Sequence, residues 1–184
     1  MSARPAEART RLEDRLRKSI RDIPDFPKPG IVFKDITPLL LDPDLFRDSV
    51  GALADWVAER DASKVLGVDA RGFLFAGAVA DRLGMGLVPA RKPGKLPYST
   101  VSESYDLEYG VNTLELHTDA VQPDERVVIV DDLLATGGTV KAASRLVEVL
   151  GGSVVGLAFV IELGFLGGRA RLDGYETMSL VTFD

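Results

Sequence analysis

At 184 residues, with 46% apolar and 27% charged side chains, the chain is long enough for one compact domain with a real core and too apolar to be disordered. A net charge of −6 argues against a nucleic-acid partner bound through general basicity. The absence of cysteine and the single histidine, His117, exclude disulfides, thiol catalysis, cysteine-ligated metals and histidine triads. The opening MSARPAEARTRLEDRLRKSI is charged throughout and lacks the apolar core of a secretory signal. No stretch approaches the roughly 20 apolar residues of a membrane span, so a cytoplasmic protein with no membrane and no nucleic-acid partner is expected.

In chain order, Leu12, Leu16 and Ile20 recur every fourth residue and predict an amphipathic helix, stopped by the turn Asp25–Gly30. Ile31–Ile36 reads as a short extended stretch. Asp42-Pro43 reads as an N-cap and first-turn proline for a helix to about Glu59, with Phe46, Val50, Leu53 and Val57 on one face. A strand at Lys64–Val68 leads into Asp69-Ala70-Arg71-Gly72 and a helix to about Leu83. Leu87–Ala90 is a strand, and the polar stretch Arg91–Tyr109 reads as a long loop. Val111–Thr118 suits an edge strand. Val127–Val130 is a buried strand, and the helix after it carries Val140, Ala143, Val147 and Leu150 and ends at Gly151-Gly152. Strands at Val154–Ile161 and Met178–Phe183 complete the chain. Strands alternating with helices imply a mostly parallel sheet with helices on both faces, which binds ligands beyond the carboxyl ends of its strands.

The run VVIVDDLLATGGT, Val127–Thr139, carries the most chemistry. A buried strand ends on adjacent carboxylates, Asp131 and Asp132, and a turn leads to Thr136-Gly137-Gly138-Thr139 at a helix start. The glycines let backbone approach a ligand, and the uncapped amides suit a phosphate. The acids repel a phosphate but accept bonds from sugar hydroxyls, so a sugar phosphate is the expected ligand. No Gly-Lys-Ser/Thr run follows, against a nucleoside triphosphate, and the dinucleotide glycine pattern is absent. Two further loops lie at strand ends. Arg71 there has the fork geometry for pyrophosphate oxygens. Arg91, Lys92 and Lys95 concentrate positive charge in an acidic chain. Residues 95–110 carry Glu103, Asp106, Glu108, Tyr98, Tyr105 and Tyr109, a polar stretch that reads as a lid.

The Asp-Asp and Thr-Gly-Gly-Thr run resembles the phosphoribosyl-pyrophosphate (PRPP) motif of type I phosphoribosyltransferases. Four further stretches narrow the likeness: Phe26–Thr37 (FPKPGIVFKDIT), Ala70–Phe75 (ARGFLF), Arg91–Pro97 (RKPGKLP) and Tyr105–Gly110 (YDLEYG). With these the chain resembles the adenine phosphoribosyltransferases from about Ile20 to Phe183. Lys34 stands where that family often has arginine. The resemblance implies an α/β, type I phosphoribosyltransferase fold: a mostly parallel sheet flanked by helices, a small hood over about 1–40 and a flexible lid over about 95–110, in a single domain. It implies transfer of 5-phosphoribosyl from PRPP to adenine, giving AMP and pyrophosphate in purine salvage, with magnesium brought by PRPP rather than ligated by side chains, in a homodimer.

By motif, Asp131 and Asp132 would hold the ribose hydroxyls, and Ala135, Thr136, Gly137, Gly138 and Thr139 would wrap the 5′-phosphate. Arg71, Arg91, Lys92, Lys95 and Tyr109 would serve the rest of PRPP, with Arg91 acting in its own subunit or in the partner's. Phe33 and Leu163 would sandwich the base, Val32 and Lys34 would read its edge with main-chain atoms, and Glu108 would be the catalytic acid/base. The resemblance also implies a cis peptide at Asp69–Ala70. Two other readings stay open: a transferase for another purine, and a PRPP-sensing regulator without catalysis, which would carry an added DNA-binding domain.

Overall fold

Four residues that cannot leave the interior, Val127–Val130, organise the sheet; all are fully buried. The computed structural model describes residues 5–106 and 111–184, which fall into two compact units, 1–52 and 53–184.

The first unit begins with helix α1 (Pro5–Ser19), which buries Leu16, with Ile20 buried just past its end. Strands β1 (Arg21–Pro24) and β2 (Val32–Asp35) form an antiparallel pair in which Ile23 faces Phe33 and Pro24 faces Val32. The turn between them holds Asp25 at φ 58°, where its carboxylate accepts the Gly30 N–H at 2.8 Å. The Phe26–Pro27 bond is cis. A short helix α2 (Thr37–Leu41) follows, then α3 (Pro43–Ala58), whose last six residues belong to the second unit. Asp42 caps α3 as its sequence predicts, its Oδ1 accepting the amides of Asp44 (3.0 Å) and Leu45 (2.9 Å). Leu45 rather than Phe46 is the deeply buried residue of its first turn.

The second unit holds a five-stranded, wholly parallel sheet in the order β4-β3-β7-β8-β9. Its strands are β3 (Lys64–Val68), β4 (Gly86–Ala90), β7 (Arg126–Leu134), β8 (Ser153–Leu163) and β9 (Thr177–Phe183). Helix α4 (Gly72–Leu83) connects β3 to β4, and α5 (Gly138–Val149) connects β7 to β8. From the adjacent pair β3 and β7 the chain winds outward in opposite directions, so the two loops beyond their carboxyl ends part and leave a crevice. Val140, Ala143, Leu146 and Val147 of α5 pack with Ile129, Leu157 and Phe159 in one core, each of the larger side chains contributing about 1.5–3 kcal/mol of burial.

Several elements differ from the sequence reading, β1 and α2 among them. The strand β7 does not stop at Asp131 but runs to Leu134, because β8 stays in register beside it through Leu133↔Ile161 and Leu134↔Glu162. The stretch read as loop contains strand β5 (Thr100–Asp106), paired antiparallel with β6 (Val111–His117). Its alternate residues explain this: Val101 and Tyr105 pack on the core, and Glu103 pairs with Arg145 of α5 at 2.8 Å. Between β8 and β9, two short 3₁₀ turns, η1 (Gly164–Leu166) and η2 (Gly168–Leu172), occupy a stretch given no structure from sequence. The Asp69–Ala70 peptide is cis.

Candidate active site

The crevice between β3 and β7 is a cavity of about 410 Å3. Its walls are the β3 loop, Val68–Arg71, and the continuous run from Asp131 through Gly137, closed by Thr139 and Val140 of α5. Arg71, Asp131, Asp132, Ala135, Thr136, Gly137 and Thr139, all predicted from the motif, line this one space.

The acid pair lies within strand β7 at its carboxyl-terminal stretch. Asp131 is 8% and Asp132 5% exposed. Asp132 pairs with Arg71, Oδ2 to Nε 2.8 Å, and Asp131 Oδ1 accepts the Asp132 N–H at 2.9 Å. Burial pushes the Asp131 carboxyl well above the usual carboxylate range, and the Asp132 charge adds to the rise. Burial also raises Asp132, against the pull of Arg71. Helix α4 starts so close to this strand that a β-carbon at Gly72 would collide with the Asp131 carboxylate. The pair is thus a desolvated acceptor set held at the mouth of a cavity.

Beside it, Gly137 takes φ 81° and precedes α5 without any side-chain cap. The first amides of this 12-residue helix face no capping oxygen, which leaves the anion-binding end of the helix dipole open. A β-carbon at Gly137 would sit 2.7 Å from the Gly168 carbonyl oxygen, so only glycine permits this turn to press against η2. Thr139 Oγ1 lies 3.2 Å from the Tyr105 hydroxyl.

Arg91 sits just outside the cavity. Its Nε lies 3.1 Å from Asp69 Oδ2, and its guanidinium donates to the Lys95 carbonyl at 3.2 Å. The Asp69 side chain thereby ties the basic loop to the cavity wall. Lys92 and Lys95 are exposed in the turn after β4 and do not line the cavity. Gly138 opens α5 next to the lining. Leu163 closes β8 at 9% exposure, outside the lining residues. In the first unit, Phe33 meets Phe26 edge-on at 5.2 Å, and Lys34 Nζ pairs with Asp22. Glu108 and Tyr109 lie outside the described residues.

The phosphoribosyl transferase domain family profile matches residues 41–176. A curated adenine phosphoribosyltransferase from Desulfitobacterium hafniense is 58% identical over 90% of this chain and 96% of its own length. The chain belongs to the adenine phosphoribosyltransferase family. Solved adenine phosphoribosyltransferases agree in three dimensions. That from Thermoanaerobacter pseudethanolicus superposes with a TM-score of 0.90 at 54% identity, covering 92% of this chain and 99% of the other. The Saccharomyces cerevisiae adenine phosphoribosyltransferase, solved with an imino-altritol bisphosphate and adenine, gives 0.87 at 36% identity over 93% and 99%. No described helix is long and apolar enough to cross a membrane.

Against the adenine phosphoribosyltransferase pattern, two features escaped the sequence reading. One is the Asp69 side chain. The other is the buried Glu162, whose partners Arg169 and Ser179 come from separate elements. A charged residue inside the apolar strand VVGLAFVIEL was the available signal for the second.

Proposed function

We infer that the chain transfers the 5-phosphoribosyl group of PRPP to adenine, releasing AMP and pyrophosphate. The observation that carries this reading is the single cavity that joins a desolvated carboxylate pair, an uncapped helix start and Arg71. Each answers one part of PRPP. The α5 turn suits the 5′-phosphate, Asp131 and Asp132 suit the ribose hydroxyls, and Arg71 suits the pyrophosphate. Displacement at the ribose carbon builds positive charge on the sugar, and a carboxylate already stripped of water stabilises that charge more than a solvated one.

The donor chemistry fits a magnesium ion carried by PRPP. Among the described residues no group of three or more metal-ligating side chains exists, but magnesium keeps most of its water and binds substrate phosphates with one or two carboxylates. Asp131 and Asp132 would hold it through its water shell. When bound, it neutralises charge on the departing pyrophosphate.

For the base, β2 pairs only with β1 among the described strands, so one edge of β2 is open. Val32 and Lys34, two residues apart, present main-chain groups on the same edge. Adenine offers a donor at C6 and an acceptor at N1, matching a Val32 carbonyl and a Lys34 N–H, whereas 6-oxopurines reverse both. The Lys34 side chain, engaged with Asp22, leaves the reading to backbone. Phe33 and Leu163 would stack on the ring, and Glu108 would exchange the proton at N7. We further propose a homodimer, supported by Leu74 of α4 and Leu87 of the edge strand β4, which stand 46% and 44% exposed. A cytoplasmic location suits a substrate too highly charged to cross a membrane.

The test is a panel of adenine, hypoxanthine, guanine and xanthine with PRPP and magnesium, scored as kcat/KM by pyrophosphate release. A preference for adenine of roughly 10⁴ or more is expected, because the wrong base leaves buried polar groups unpaired. Comparable use of a 6-oxopurine rejects the adenine assignment.

A further inference from the structure

Glu162 is the one buried carboxylate of β8 and takes no direct part in the site described above. It is 6% exposed near the carboxyl end of the strand. Arg169 of η2 grips it at two points, Nε to Oε1 at 2.9 Å and a second nitrogen to Oε2. The same guanidinium donates to the Thr177 carbonyl at 2.8 Å and to Ser179 Oγ at 3.1 Å, both on β9. Ser179 Oγ in turn donates to Glu162 Oε2 at 2.8 Å. One arginine fork therefore joins β8, β9 and η2.

With the Arg169 side chain half exposed, the ion pair by itself adds little net stability. Gly168 precedes Arg169 directly in the chain. Gly168 lies so close to the phosphate turn that a β-carbon there would overlap the Ala135 carbonyl oxygen, and it would come 3.0 Å from Gly137 N. The Gly168 carbonyl is likewise what a side chain at Gly137 would strike, at 2.7 Å. The backbone of η2 is thus the outer wall of the turn Ala135–Gly137. Leu163 follows Glu162 directly in the chain.

We propose that Glu162 and Arg169 are positioning residues for the 5′-phosphate turn: their ion pair clamps η2, and Gly168 of η2 holds Ala135 and Gly137 in the shape that presents amides to the phosphate. The proposal rests on the PRPP reading above. It separates two ends of one substrate. Loosening the clamp harms the grip on the 5′-phosphate, a non-reacting part of PRPP, and leaves the pyrophosphate end at Arg71 untouched. Uniform binding is lost, so KM for PRPP rises while kcat holds.

The full-length chain is compared with Arg169→Lys, which keeps the charge but cannot make the two-point grip. Ser179→Ala, a milder change that removes one hydroxyl from the same network, is the second variant. Ribose 5-phosphate and magnesium pyrophosphate are titrated separately by calorimetry, beside steady-state kinetics and thermal melts. Arg169→Lys is expected to weaken ribose 5-phosphate and raise KM for PRPP by about 10–100-fold, with kcat and pyrophosphate affinity within about twofold. Ser179→Ala should move the same quantities in the same direction by less, and it carries the test alone if the lysine variant does not fold. Unchanged ribose 5-phosphate affinity, or equal losses for both ligands, overturns the proposal. A wild-type chain that binds neither ligand and does not turn over PRPP overturns the functional reading itself, a result distinct from either.

Discussion

Replacing Asp131 by Asn should make the ligand-free protein more stable and the enzyme worse. Asp131 is 8% exposed, is lifted by burial well above ordinary carboxylate acidity, and stands next to a second carboxylate. Each factor of ten by which its acid strength falls on folding costs about 1.4 kcal/mol once the group ionises. Asparagine has the same shape and keeps the 2.9 Å bond from the Asp132 N–H. The rise therefore predicts a more stable variant, and each kcal/mol gained raises Tm by about 2–4 °C for a chain of this size. The sign follows from linkage. A carboxyl whose folded pKa is raised weakens the fold fully above that folded pKa and not at all below the unfolded one. The gain should grow as pH rises above the ordinary aspartate range and vanish below it, at about pH 4. Against it, a hydrogen bond to a charged acceptor is worth about 1 kcal/mol or more beyond a neutral one, so PRPP affinity should fall about tenfold. Loss of charge next to the developing positive sugar should lower kcat as well. Melting curves across pH and a calorimetric PRPP titration measure both halves. A variant whose stability relative to wild type does not rise with pH, or one with unchanged PRPP affinity, refutes the reasoning.

Converting both Asp131 and Asp132 to Asn should remove most activity while the circular dichroism spectrum stays native; normal turnover would contradict their assignment to the ribose. Gly137→Ala forces a side chain into φ 81° and against the Gly168 carbonyl, so KM for PRPP should rise by at least about tenfold. Phe33→Ala should raise KM for adenine by about 2–10-fold through lost stacking, with KM for PRPP unchanged, and Lys34→Arg should leave base preference as it is. Glu108→Gln should cut kcat by about 10²–10⁴-fold if that group moves a proton in the transition state, as pre-steady-state rates would show.

Much of this protein is legible one residue at a time. The four-residue apolar run before Asp131, the glycines of the turn, the Asp42-Pro43 cap and the helical spacing of Val140, Ala143 and Val147 are local patterns with local physical causes. They predict the parallel α/β sheet, which the five-stranded sheet matches, and they name an acid pair and a glycine turn that line one cavity. Strand β5 was obscured because its polar residues dominate the composition, and only pairing with β6 and packing on α5 show that Val101, Glu103 and Tyr105 share a buried side.

Other features have no local signature. Placing β3 beside β7 is what brings Arg71 within 2.8 Å of Asp132, across 61 positions of sequence. That neighbourhood also turns an ordinary acid pair into one whose ionisation is costly, since burial is a property of what surrounds a residue and not of the residue. The same holds for Arg91 on Asp69, and for Gly168 behind Gly137. By itself the sequence determined which chemical groups the site possesses and which local turns carry them, because backbone preference and hydrophobic period act over a few neighbours. Tertiary structure decided which of those groups meet, how dry they are, and which distant ion pair holds them still, because strand order, desolvation and long-range contact exist only once the chain is packed.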